Sequence, residues 1–206
     1  MPLQNRVDPF GAIVATSERG TILGNRGLLH DKHQRIVRPW RLKRWIACLL
    51  AFRGRQRTVM SPGLYTELFF LDEATALAAG HRPCAECRRA DLLRFKAAWL
   101  RGNAAGPFTA DSLLPLMDDI LHAERLDATG GKRTYRAPLR RLPSGVIVAV
   151  GGKPFLWHDG RLRRWSFAGY SRGKAGSGLV TVLTPPSVVA AIEAGYAPIL
   201  HPSATA

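Results

Sequence analysis

Short apolar runs separated by polar turns fill the first seventy residues, and helical spacing takes over after them. Ala12-Ile13-Val14-Ala15 and Thr21-Ile22-Leu23 flank the polar turn Ser17-Glu18-Arg19-Gly20, which predicts a β-hairpin within residues 7–23. Gly24-Asn25-Arg26-Gly27 reads as a loop delivering Leu28-Leu29-His30, and residues 46–52 as a strand or a short helix. Tyr65-Thr66-Glu67-Leu68-Phe69-Phe70-Leu71 is rich in β-formers and reads as a strand. Asp72 then caps a helix over residues 73–79, with Gly80 at the position after its end. A second helix follows Cys87, with Leu92, Phe95 and Trp99 on one face and Arg88, Arg89, Arg94 and Lys96 elsewhere.

The turn-rich stretch 102–107 marks a boundary. Beyond it, Thr109 or Asp111 caps a third helix through Leu126, whose apolar face is Leu113, Leu114, Met117, Ile120 and Leu121, with Pro115 in the first turn. Strands follow over 146–150, 154–157 and 162–167, separated by Gly151-Gly152 and His158-Asp159-Gly160, and another over 180–183. Ser187 is the expected cap of a final helix over 188–194, and the tail 202–206 is expected to fray.

Charge changes the picture most. Thirty Lys+Arg against 15 Asp+Glu give a net charge of +15, and an acidic partner relieves that self-repulsion. Nucleic acid, DNA foremost, is the leading partner, with an anionic membrane surface or a ribosome-like assembly behind it. Residues 31–60 concentrate the excess: Lys32, Arg35, Arg38, Arg41, Lys43, Arg44, Arg53, Arg55 and Arg57 stand against Asp31 alone, with Trp40 and Trp45 among them. Arginine pairs with phosphate and flat rings stack on bases, so Arg38, Trp40, Arg41, Lys43, Arg44, Arg53, Arg55 and Arg57, with Arg82, Arg88 and Arg89, are candidate nucleic-acid contacts. The plainer alternative is a solvated basic face with the tryptophans in the core. Three cysteines are too few for a secreted disulfide scaffold, the N-terminus lacks a signal-peptide pattern, and no apolar run approaches a membrane span, so a cytoplasmic protein is expected.

The densest chemistry is Gly80-His81-Arg82-Pro83-Cys84-Ala85-Glu86-Cys87-Arg88-Arg89. A C-x-x-C knuckle aims two thiolates at one point about 2.3 Å away, and tetrahedral zinc asks for four N/S ligands. A thioredoxin-like motif opens a helix among apolar residues, whereas this one follows a helix and is flanked by arginines. Cys48 is the third ligand by exclusion, and His30, His33 and His81 compete for the fourth place.

The stretch from Leu71 through the alanine-rich helix to His81-Arg82-Pro83-Cys84-Ala85-Glu86-Cys87-Arg88 resembles the second half of the Ada-type metal-binding domain. Gly24-Asn25-Arg26-Gly27-Leu28-Leu29-His30 is similar to the first half of the shorter Ada-like modules appended to nucleases. The resemblance implies Cys84, Cys87 and His30 as zinc ligands, and Cys48, assigned by exclusion, completes the site. A long basic insertion separates His30 from Cys48, and no cysteine stands beside His30, so the family's methyl-accepting thiol is either absent or displaced to Cys48.

The expected fold is α+β: a small zinc-binding α/β module over residues 1–101, then, over 102–206, a helix and an antiparallel β-meander with a C-terminal helix. The expected function is a zinc-stabilised nucleic-acid-binding protein acting on DNA in repair or regulation. Two alternatives stand beside it. One is an enzyme acting on DNA, by alkyl transfer to zinc-bound Cys48 or by metal-assisted hydrolysis on the helix bearing Asp118, Asp119, His122 and Glu124, where Asp118 and His122 lie one turn apart and can share a metal or a proton; the plainer reading of that helix is an exposed acidic face docking on the basic half. The other is a structural zinc site with a ligand- or protein-binding C-terminal domain that presents Arg163, Arg164, Trp165, Tyr170, Arg172 and Lys174.

Overall fold

A computed structural model describes residues 1–56, 58–103 and 113–205. The chain is α+β, as expected, with two six-stranded sheets and four α-helices among the described residues. The N-terminal part contains β1 (Gln4–Val7), β2 (Ile13–Ala15), β3 (Ile22–Asn25), β4 (Ile46–Cys48), β5 (Leu68–Phe70), α1 (Glu73–Ala78), β6 (Arg82–Pro83) and α2 (Arg89–Gly102). Its sheet runs β2-β1-β5-β3-β4-β6, with β1 parallel to β5 and β4 parallel to β6.

The hairpin expected between residues 12–15 and 21–23 does not form. β2 instead folds back on β1, through a turn in which Gly11 takes φ 87° and the Asp8 carboxylate accepts from the Ala12 N–H at 3.0 Å. At Gly20 the chain crosses β5 so closely that a Cβ would lie 2.2 Å from the Phe70 carbonyl oxygen. That crossing inserts β3 between β5 and β4.

Strand alternation gives this sheet two unlike faces. Val7, Ile22, Ala47, Leu68 and Phe70 form one, buried against Ala76 and Ala79 from the α1 region. Gly24 belongs to this side because the Phe70 ring occupies the place of its side chain, with a Cβ–Cε2 separation of 2.2 Å. The register aligns Arg6, Phe69, Leu23 and Cys48 across four strands on the other face.

α1 is capped as expected: the Asp72 carboxylate accepts from the Thr75 N–H at 2.9 Å, and Gly80 follows the helix at φ 89°. The C-terminal part contains α3 (Leu113–Arg125), β7 (Tyr135–Pro138), β8 (Val146–Val150), β9 (Lys153–His158), β10 (Arg161–Ser166), β11 (Gly169–Tyr170), β12 (Leu179–Val182) and α4 (Pro186–Glu193). β8, β9 and β10 are the expected meander, within the order β11-β10-β9-β8-β12-β7. β7 was not expected; it is a short edge strand ending in proline, which an edge tolerates.

The expected caps Thr109 and Asp111 lie outside the described residues. Pro185, not Ser187, precedes the last helix, while Ser187 donates its hydroxyl to Glu124 Oε2 at 2.6 Å. The tail does not fray at its start: Ser203 Oγ accepts from the Tyr170 N–H at 2.8 Å and Ala204 is buried. Leu77, Phe95 and Trp99 share a core with Met117, Leu121, Val148 and Val188. That core draws on residues from both sides of position 101, and most of the turn-rich stretch 102–107 lies outside the described residues.

Candidate metal centre and basic cavity

The parallel ladder between β4 and β6 builds the centre. Arg82 N–H donates to Trp45 O at 3.1 Å and Cys84 N–H to Ala47 O at 2.9 Å, which sets the knuckle beside the end of β4, where Cys48 stands. The sulfurs of Cys48, Cys84 and Cys87 are 3.7–3.8 Å apart. A tetrahedral ion with metal–sulfur bonds of about 2.3 Å requires sulfur–sulfur edges of roughly 3.8 Å, whereas a disulfide requires roughly 2.05 Å. The three cysteines therefore form a potential metal site rather than a disulfide pair and a spare thiol.

Backbone N–H groups already face these sulfurs: Glu86 N–H donates to Cys84 Sγ and Leu49 N–H to Cys87 Sγ, both at 3.4 Å. A hydrogen bond from Cys48, aided by backbone N–H groups of Cys87 and Glu86, draws the Cys84 thiol down to about 5 against the effect of burial. Cys48 is pushed up, first by that same bond and then by burial.

His30 is not its fourth member. Its Nδ1 pairs with Thr66 Oγ1 at 2.7 Å and its Nε2 with Ser61 O at 3.2 Å, so both ring nitrogens are engaged in the loop. Among the described residues the three cysteines are the one group of three or more His, Cys, Asp or Glu side chains with metal-holding geometry, and Asp118 and His122 belong to no such group. Asp118 binds Arg82 through two bonds of 2.8 Å, and the His122 ring sits edge-on to Trp40 at 4.6 Å. Trp165 and Tyr170, expected on a C-terminal binding surface, are buried.

All three cysteines line a cavity of about 940 Å³. Its floor is the second face of the N-terminal sheet: Arg6, Phe69, Leu23 and Cys48 in one row, with Glu67, Asn25 and Ile46 one side-chain step along their strands. Arg19, Phe52, Arg55 and Tyr65 stand around it. The Arg6 guanidinium lies 4.8 Å above the Phe69 ring, and Arg55 is paired with Glu86. Arg6, Arg19, Glu67 and Phe69 were not among the sequence candidates. For Glu67 and Phe69 the signal is the period of two in Leu23-x-Asn25, Ile46-x-Cys48 and Glu67-x-Phe69, which gives this sheet a second chemical face.

The basic candidates divide by burial. Arg38, Arg41, Lys43, Arg44, Arg53, Arg55 and Arg89 are exposed, and Trp40 is half-buried against His122. Arg82 and Arg88 are corrections: both are buried, Arg82 against Asp118 and Arg88 against Glu73 and Asp91, each at 2.8 Å. Arg57 lies outside the described residues. Trp45 is core rather than stacking platform, held between the guanidinium groups of Arg26 and Arg125 at 4.0 and 3.9 Å. Two guanidinium groups at that distance need opposite faces of one ring.

This stack joins the two halves of the chain, since Arg125 also donates to Gly80 O at 3.0 Å. Lys132 donates to Ala78 O nearby, and burial followed by Arg26 and Arg125 draws its ammonium down to about 7. Asp8 is the one group acting in the opposite sense, and His81 is held neutral by burial and the same arginines. Between pH 7 and the ordinary lysine range near 10.5 the unfolded chain keeps a proton that the folded chain has lost, so stability rises with pH there. Below pH 7 both states are charged and the penalty is complete. The stability of Lys132→Met relative to wild type, followed by urea unfolding, is therefore highest near pH 6 and declines toward pH 10; a gap constant with pH contradicts this assignment.

Comparison of the chain with protein-family models, with curated proteins and with solved structures finds no match. No helix among the described residues is long and apolar enough to cross a membrane.

Proposed function

We propose that this chain is a zinc-binding protein that binds nucleic acid, DNA foremost, with a role in repair or regulation. The observation that carries it is the placement of a three-cysteine centre in the wall of a cavity that also presents Arg6, Arg19 and Arg55 together with Phe52, Tyr65 and Phe69. Sulfur ligands select soft or borderline ions, and zinc is the common one for closely spaced cysteines. Arginines beside aromatic rings suit a sugar-phosphate strand whose bases are unstacked, as single-stranded nucleic acid offers. The net charge of +15 and the exposed arginines of residues 38–55 extend the attraction beyond the cavity. The resemblance of the knuckle and its preceding helix to Ada-type domains supports DNA and repair.

Zinc analysis and fluorescence anisotropy with single-stranded oligonucleotides over a salt series test the proposal. About one zinc per chain is expected, with affinity falling as salt rises by roughly 0.7 log units per log unit of salt for each phosphate neutralised. The paired change Arg41→Gln and Arg44→Gln is expected to flatten that slope by roughly one to two units, leaving zinc content unchanged. Affinity independent of ionic strength is the result that rejects nucleic acid as the partner.

A further inference from the structure

We infer that the cavity seats one unpaired nucleotide and that Glu67 on its floor accepts a hydrogen bond from the exocyclic amino group of the base, favouring cytosine over thymine. The inference rests on the nucleic-acid reading above and adds to it which part of the ligand lies inside and how it is read. Glu67 is only 2% exposed, yet it lines the cavity. Its Oε2 accepts from the Met60 N–H at 2.7 Å, which fixes the carboxylate against a loop where Met60 takes φ 56°. Its Oε1 is buried with no hydrogen-bond partner among the described residues. A buried carboxylate oxygen without a donor is costly, and a ligand N–H supplied through the cavity removes that cost.

The charges around the cavity are ordered by depth. Arg6 and Arg19 lie close enough that Arg19 adds to burial in lowering the proton affinity of Arg6, and Arg19 is exposed. Arg19 is the exposed cation at the cavity's rim, and Arg6 carries the positive charge inward along the floor row. Of the two acids lining the cavity, Glu86 is spent on Arg55, which leaves Glu67 as the acid with an unpartnered oxygen. Phe69 occupies the floor row next to it with the Arg6 guanidinium 4.8 Å from its ring centroid, so that ring and guanidinium together supply a flat cationic platform. A ligand matching this order carries its phosphate at the rim, a planar ring over Phe69 and an N–H donor at its inner edge. A volume of about 940 Å³ lies within the range of ligand pockets and leaves room for a nucleotide with part of its backbone.

Cytosine and thymine have the same ring size and differ at position 4, where cytosine carries an amino donor and thymine a carbonyl oxygen. A carboxylate attracts the first and repels the second. A hydrogen bond to a charged acceptor corresponds to a preference of about tenfold or more.

The test uses the full-length, zinc-loaded protein and labelled oligo-dT carrying one central cytosine, compared with uniform oligo-dT, with oligo-rU carrying one rC as the RNA arm. Wild type is expected to favour the cytosine-containing strand about tenfold. Glu67→Gln, whose amide can also donate to a carbonyl, is expected to lose that preference while keeping zinc and the salt slope. Phe69→Ala is the second variant and is expected to weaken both strands alike by about tenfold, as loss of a stacking face does. Equal wild-type affinity for the two strands, or a preference that survives in Glu67→Gln, overturns the inference and leaves nucleic-acid binding standing. Absence of binding to every strand at low salt overturns the nucleic-acid reading, and this inference with it.

Discussion

Cys84→Ser is expected to leave the protein without zinc. Serine offers a poorly acidic hydroxyl in place of the Cys84 thiol, and its shorter C–O bond cannot reach the point defined by three sulfurs 3.7–3.8 Å apart. Zinc content is expected to fall from about one equivalent to none, and the melting temperature to become insensitive to a chelator. Wild type is expected to lose stability on chelation, because an ion bound at 100 times its dissociation constant contributes about 2.7 kcal/mol to the folded state. Cys48→Ser is expected to act in the same way. His30→Ala is expected to keep its zinc, since both nitrogens of His30 are spent on Thr66 and Ser61. This contrast separates the ligand set of the structure from the one implied by the Ada-type resemblance; zinc retained in Cys84→Ser, or lost in His30→Ala, rejects the three-cysteine centre.

The three thiols were legible because the chain has only three cysteines and two of them form a knuckle. Exclusion then reached Cys48 without knowledge of the β4–β6 ladder. His30 misled because a Gly-rich approach and a family motif say where a side chain is aimed only when the spacing to the next ligand is kept, and here the basic insertion redirects it to Thr66. α1, α2 and the meander were legible through Asp72, Gly80 and the Gly151-Gly152 and Asp159-Gly160 turns, which are local signals. The order of the N-terminal sheet was not, because it depends on Gly20 and Gly24 yielding space to Phe70, a contact fifty residues away in sequence. Arginines were the hardest to sort. Nothing near Arg82 reveals that its partner is Asp118, 36 positions on, so a buried structural arginine and an exposed one read alike.

Arg88 makes that distinction measurable. It directly follows the knuckle, its side chain is fully buried, and it reaches Glu73 of α1 at 2.8 Å and Asp91 of α2 at 2.8 Å. Glu73 in turn accepts from the Tyr196 hydroxyl at 2.6 Å and from the Ile199 N–H at 2.8 Å, so one carboxylate ties α1, the knuckle and the C-terminal segment together. Removing one partner of such a pair leaves the other buried and uncompensated, at a cost of about 3–5 kcal/mol. Arg88→Met is therefore expected to lower the melting temperature by about 10 °C or more and to weaken zinc retention, because Cys87 loses the residue that anchors the end of its turn. Adding Glu73→Gln to Arg88→Met is expected to recover part of the loss, since the second change removes the stranded charge. Arg89→Met, one position on and exposed, is expected to leave stability within about 0.5 kcal/mol of wild type and to lower nucleic-acid affinity instead. Adjacent arginines with opposite consequences follow from burial alone; equal effects of the two on unfolding contradict the division of this basic chain into arginines that hold the fold and arginines that face a partner.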